Sequence, residues 1–558
     1  MTQSSNLRTG AQILVDQLRI HGVDTAFCVP GESYLATLDA LYDVKEKLKL
    51  VICRQEGGVT YMGDAYGKAT GKPGVCFVTR GPGATNASLG VHTAHQDSTP
   101  LILFIGQVGR AMMQREAFQE VDFRQMYAPL CKWVAQINDP ARIPEMVARA
   151  FHVATSGRPG PVVLALPEDM QKELAAANDA KPFQTINPAP EPASIEKLGS
   201  LLSQAKKPLM ILGGSGWSNR GLDDLRTFYE SWNLPVSAAF RRQDLIDNRH
   251  KNYAGDFGLG VNPALSARAD QADLLLVIGA QMSEIITGGY DLFTLPCPHQ
   301  TFIHVTAGLD EVARVYQPDL GINSGMNNFS SVVKNLRPQT SPTWGDWTRQ
   351  ANQDHADNIV LPDMVGDVDM GKVIEWLNQN LPEDAIITNG AGNFSNWVHR
   401  FYCYKKYPSQ LAPQSGSMGY GVPSAVAAKI AFPDRCVVSF SGDGDFLMCG
   451  QELATARQYD LPITFIVVNN GTYGTIRMHQ ERFYPGRVSG TDLVNPDFAA
   501  LARAYGLHGE LVQKTDDFSQ AFQRCQESGS PGLIEIQIHQ DQISPRATIT
   551  GLRQSQKN

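Results

Sequence analysis

The stretch Gly442–Asn470, GDGDFLMCGQELATARQYDLPITFIVVNN, constrains the fold more tightly than any other part of the chain. The apolar run Cys436–Phe440 precedes it and a second run, Ile463–Val468, closes it; each is short and apolar, as a buried strand requires. Between them Gln451–Tyr459 places helix-forming residues at helical spacing, and Asp460-Leu461-Pro462 stops the helix. Strand, Gly-Asp turn, helix and strand make one βαβ unit, which predicts a parallel sheet. Asp443 then closes one strand and Asn470 the next, at the edge where open α/β sheets bind ligands. Gly442 and Gly444 allow a diphosphate to approach the backbone, and the amides opening the following helix favour an anion. A carboxylate, an amide oxygen and a main-chain oxygen from the turn after Asn470 suit Mg2+, a hard cation that keeps phosphate and water ligands. A GDG turn alone is common as a polar cap on a strand; its pairing with Asn469-Asn470 across one βαβ unit points to a site.

The same rhythm runs through the N-terminal segment. Thr9–His21 is amphipathic, and strands are predicted at Thr25–Val29, Leu48–Cys53, Gly74–Thr79 and Pro100–Gly106. Their ends carry Pro30-Gly31-Glu32-Ser33, Arg54-Gln55-Glu56 and the loop Gly81-Pro82-Gly83-Ala84-Thr85-Asn86. Glu56 on local grounds reads equally as an acid favoured at a helix N-terminus. Pro182–Ser194 and Pro338–Trp347 read as linkers, so the chain divides into α/β domains at 1–182, 194–338 and 360–558. A length of 558 residues agrees with about three domains. A net charge of −8 gives no basic footprint for nucleic acid. Nine scattered cysteines without a CxxC pair read as reduced core thiols of a cytoplasmic protein. Neither an export signal nor a membrane span is predicted. The polar tail Asp541–Asn558 is expected to drape over the surface.

GDG followed by NN at this interval resembles the signature of thiamine diphosphate-dependent enzymes. The resemblance covers nearly the whole chain and implies three doubly wound parallel-sheet domains: pyrimidine-binding, middle and diphosphate-binding. It implies that Asp443, Asn470 and the main-chain oxygen of Thr472 hold Mg2+, which in turn holds the thiamine diphosphate. Further cofactor contacts are implied at Gly442, Gly444 and Asp445, and at Tyr473, Gly474, Thr475 and Ile476. The loops Ala391-Gly392-Asn393-Phe394 and Gly416-Ser417-Met418 are implied to touch it as well, with Met418 wedged beneath to bend it into a V. In the N-terminal domain Pro30, Gly31, Pro82 and Asn86 are implied contacts, and Glu56 is the implied catalytic acid on the aminopyrimidine ring, beside Gln55 where many relatives carry His. That acid assists loss of the cofactor's C2 proton, giving a carbon nucleophile that attacks a 2-oxo acid.

Within the family the chain is most similar to the acetolactate synthase-like group, whose AFQE segment approaches the substrate. Glu32, Ser33, Phe118, Gln119 and His479 are the implied substrate-pocket residues, and 2-oxo acid cleavage with carboligation to a second carbonyl the implied reaction. Two departures bear on it: His479 stands where biosynthetic acetolactate synthases carry tryptophan, and Thr475 where they carry methionine. Gln281-Met282 replaces the arginine of flavin-binding relatives, which argues against FAD in the middle domain. Because Glu56 and the GDG turn lie on different domains, the resemblance implies sites shared between subunits of a homodimer or homotetramer. A 2-hydroxyacyl-CoA lyase or oxalyl-CoA decarboxylase-like enzyme, and a non-catalytic paralogue, are the alternatives.

Overall fold

The computed structural model describes residues 7–555, which form two compact units: 7–186 with 426–431, and 187–425 with 432–555.

The first unit is built on one six-stranded parallel sheet. Its strands are β1 (Thr25–Cys28), β2 (Lys49–Ile52), β3 (Gly74–Val78), β4 (Leu101–Gln107), β5 (Trp133–Gln136) and β6 (Pro161–Pro167), in the spatial order β2-β1-β3-β4-β6-β5. Every residue of β3, β4 and β6 is buried, because helices cover both faces of such a sheet and leave no polar side. Helix α1 (Glu56–Thr70) follows β2, and α2 (Gly81–Asp97) follows β3. The segment Gly81–Asn86 is therefore the first turn of a helix instead of a loop ahead of one. Residues 176–191 carry neither helix nor strand, whereas the last three residues of the expected linker Pro182–Ser194 already belong to the helix Pro192–Gln204.

The second unit holds two more six-stranded parallel sheets. One comprises β7 (Pro208–Leu212), β8 (Val236–Ala238), β9 (Tyr253–Asp256), β10 (Leu274–Ile278), β11 (Thr301–Thr306) and β12 (Leu320–Asn323), ordered β9-β8-β7-β10-β11-β12. The other comprises β13 (Ile386–Asn389), β14 (Gln410–Leu411), β15 (Val437–Gly442), β16 (Thr464–Asn469), β17 (His508–Val512) and β18 (Gly532–Gln537), ordered β14-β13-β15-β16-β18-β17. This repeats the path of the first unit's sheet strand for strand. The two sheets of the second unit are joined by buried polar contacts: the Asp244 carboxylate accepts from the amides of Ser409 at 2.9 Å and Gln410 at 3.1 Å.

Two local expectations change. The helix after Gly442 begins at once, as α3 (Asp443–Cys449), and continues through a 3-10 turn into Leu453–Gln458. The C-terminal segment forms the short strands Gln542–Ser544 and Ala547–Thr548 and a helix, Ile549–Ser555, and does not simply trail over the surface. Six of the nine cysteines are buried, while Cys297 is exposed. Among the described residues no helix is long and apolar enough to cross a membrane.

Candidate active site

In the last sheet the order reverses direction between β13 and β15, the place where open α/β sheets open a crevice. Gly442 is in register with Val468 across β15 and β16, so Asp443 and Asn470 leave the sheet along one edge. Asp443 is buried, and burial raises its carboxyl pKa. Donors oppose that shift, foremost Asn495 Nδ2 at 2.7 Å and the Gly444 amide at 3.0 Å. Asn470 Oδ1 accepts from the Thr472 amide at 3.2 Å, and the Thr491 carbonyl accepts from Thr472 Oγ1 at 2.8 Å. The turn so fixed leads into helix α4 (Gly474–Phe483). The amides of Gly474, Thr475 and Ile476 open that helix and have no carbonyl within it to bond, which leaves three donors for an anion.

The two glycines of GDG have a steric reason that the sequence did not show. A Cβ at Gly444 would lie 2.4 Å from Tyr473 Cε1, and one at Gly442 would lie 2.8 Å from Phe394 Cδ1. Each glycine thus lets an aromatic ring lie against the turn. Asp445 joins two loops, its Oδ1 accepting from the amides of Ala391 at 3.0 Å and Gly419 at 2.9 Å, while burial lifts its pKa to about 6. The Asn393 side chain is similarly engaged, donating to the Ile543 carbonyl at 3.0 Å and accepting from Thr475 Oγ1 at 3.0 Å.

These groups line one cavity of about 730 Å³, with Gly392, Gly416, Met418, Ile476 and His479 in its wall. Of the residues expected here from the sequence, only Ser417 does not line it. The reading missed Ile543, Arg546 and Leu552, which bring the C-terminal segment into the wall, and Asn495, which supports Asp443. Among the described residues no group of three or more His, Cys, Asp or Glu is placed to hold a metal. The oxygen donors at hand are instead one buried carboxylate and one amide beside free helix amides, a set that fits Mg2+ bound jointly with a diphosphate.

In the first unit, Glu56 is the first residue of α1 and accepts from Asn86 Nδ2 at 2.9 Å. Gln55 caps the helix by accepting from the Gly58 amide at 3.1 Å. A Cβ at Gly83 would stand 3.2 Å from Glu56 Oε1, so that glycine leaves the carboxyl its room. Pro82 sits in the first turn of α2, and Gly31 faces Thr79, whose Cβ would be 2.5 Å from a Cβ there. Arg80, which the sequence reading passed over, gathers several expected pocket residues: it donates to the Phe118 carbonyl at 3.2 Å and to Glu32 Oε1 at 3.2 Å. Ser33 is buried with its hydroxyl 2.9 Å from Thr79 Oγ1, whereas Phe118 is 73% exposed. The AFQE segment carries no helix, and Gln114, Glu116 and Gln119 in and before it all take positive φ.

Residues 8–126, 195–333 and 390–536 match, in turn, the N-terminal TPP binding domain, the central domain and the C-terminal TPP binding domain of the thiamine pyrophosphate enzymes. The chain belongs to the thiamine diphosphate-dependent enzyme family. It is 33% identical to the acetolactate synthase large subunit of Parasynechococcus marenigrum, over 95% of this chain and 87% of that protein. It is 32% identical to the acetolactate synthase isozyme 2 large subunit of Escherichia coli, over 95% of each. The probable acetolactate synthase large subunit of Methanocaldococcus jannaschii is 30% identical, over 96% of this chain and 93% of that one.

Proposed function

We propose that this protein uses thiamine diphosphate and Mg2+ to cleave or decarboxylate a pyruvate-like 2-oxo acid and to join the fragment to a second carbonyl compound, as an acetolactate synthase does. The observation that carries the proposal is the convergence, in one cavity, of the buried Asp443, Asn470 and the open amides of α4. Asp443, Asn470 and Thr472 would hold the metal, and the amides of Gly474–Ile476 the diphosphate. Met418 offers the bulky apolar contact in the same wall. Bound thiamine diphosphate supplies a carbon nucleophile and an electron sink for the carbanion left when CO2 departs. Glu56, oriented by Asn86, is the group proposed to hold a proton at the aminopyrimidine nitrogen, and it would come from a partner chain of a homodimer or of a dimer of dimers.

The test follows coenzyme binding and proton exchange separately. Glu56→Ala is expected to bind thiamine diphosphate and Mg2+ normally while exchange of the coenzyme's C2 proton, followed by NMR, slows by at least about 100-fold. Asp443→Ala is expected to lose Mg2+-dependent coenzyme binding itself. Normal exchange in the Glu56 variant, or tight Mg2+-dependent binding without Asp443, overturns the proposal.

A further inference from the structure

The cavity that contains Asp443 and Asn470 is also lined by Arg400 and Arg546, which neither the motif nor the family resemblance singles out. Arg400 lies in the last turn of the helix Ser395–Phe401, and Arg546 in the turn between the two short C-terminal strands. Both converge on Asn358. Arg400 Nε donates to its carbonyl at 2.8 Å, and Arg546 Nη2 to its side-chain oxygen at 2.7 Å. Arg546 Nη1 also donates to the Val261 carbonyl at 3.1 Å. All three acceptors are neutral, and among the described residues neither guanidinium has a carboxylate within the 4.0 Å of an ion pair. Two cations thus share one wall with no carboxylate in ion-pair contact with either. Burial, followed by the charge of Arg546, holds Arg400 down to about 10; burial also lowers Arg546, against the opposing charge of Asp256. The carboxyl in this part of the wall, Asp256, is lifted by burial to about 7, accepts from Gln243 Nε2 at 3.2 Å, and makes no ion-pair contact with either arginine.

We infer that Arg400 and Arg546 form a subsite for an anionic oxyacid group, a carboxylate or a phosphate, carried by the substrate at the end away from its reacting carbonyl. Planar guanidiniums held by neutral oxygens keep their charge for a ligand and match the geometry of such anions. The identification of the ligand as a substrate tail rests on the catalytic proposal above; the anion site itself does not.

The experiment reads binding without turnover. Protein loaded with thiamine diphosphate and Mg2+ is titrated calorimetrically with glutarate, with propyl phosphate and with uncharged 1-butanol as control. At least one anion is expected to bind once per chain, and the tighter of the two identifies the source as an acid tail or a phosphoester. Arg400→Gln and Arg546→Gln are each expected to weaken that binding about tenfold or more, with Arg546→Lys recovering part of it. Thiamine diphosphate affinity is expected to stay unchanged in all variants. With 2-oxo acids of equal length, a terminal acid group is expected to lower KM in the wild type, and the glutamine variants to erase that preference. No binding of either anion, or variants that bind like wild type, overturns the inference. So does coenzyme affinity that falls in step with anion affinity, because the arginines would then serve the diphosphate. Anion binding without any 2-oxo acid turnover would refute the catalytic proposal alone.

Discussion

Asp443 does not stand alone at the end of β15. Asn495 Nδ2 bridges it, at 2.7 Å, to Asn469 Oδ1 at 2.9 Å, and Asn469 Nδ2 in turn donates to the buried Glu535 at 2.8 Å. Glu535 is itself fixed by the Phe498 amide at 2.9 Å. The first asparagine of the NN pair therefore orients the support of the carboxylate proposed to hold the metal, while the second faces the cavity. A donor on a carboxylate stabilises its charged form, which burial opposes. Asn495→Ala removes that donor and is expected to weaken Mg2+ binding in the presence of thiamine diphosphate by about 10- to 100-fold, read by calorimetric titration. An unchanged Mg2+ affinity would exclude the role. Asp443 and Asn470 were legible because a single βαβ unit places both. Asn495 was not, because its partner is 52 residues away, and the Asn469–Glu535 bond spans 66.

At the scale of elements, the C-terminal helix Ile549–Ser555 is attached to α4 by one buried acid. Glu481 accepts from Arg553 Nε at 2.8 Å and Nη2 at 2.6 Å, from Arg477 Nε at 3.0 Å and from the Gly486 amide at 3.0 Å. The Arg553 contact above all holds its pKa down to about 2, from an ordinary value of 4.5. A carboxyl whose pKa is depressed on folding adds stability above its unfolded pKa and loses it as pH falls toward the folded value. Glu481→Gln is accordingly expected to cost about 2 kcal/mol at neutral pH. The gap between wild type and variant, measured by denaturant unfolding, is expected to close as pH falls from about 4.5 to about 2. A gap that stays constant across that window would place the stabilisation elsewhere. Polarity alone made this tail read as a surface strap, because a sequence shows the charge of Arg553 without showing the buried acid it meets. The AFQE segment takes no helical conformation, and its Gln119 carbonyl accepts from the Gly81 amide at 3.0 Å.

At the scale of the whole molecule, the first and last sheets follow one path, and each sets its candidate residues at the carboxyl ends of its strands. Glu56 opens a helix that follows a strand of the first sheet, and Asp443 opens one that follows a strand of the last. If active sites are assembled from two chains, mixing inactive Glu56→Gln with inactive Asp443→Ala protein after dissociation is expected to restore activity. Half of the dimers are then mixed and one of the two sites in each is intact, so recovery is expected at about a quarter of wild type. No recovery from chains shown to exchange would mean that both groups act within a single chain.

The sequence by itself determined the parallel α/β architecture, the βαβ unit at 442–470 and the pair Asp443 and Asn470, because strand periodicity and the turns between adjacent strands are local properties. Only the tertiary structure decided which residues support and enclose that pair. Asn495, Glu481 and the two arginines meet their partners through chain reversals whose outcome depends on how whole sheets and helices are buried, and no local pattern records that.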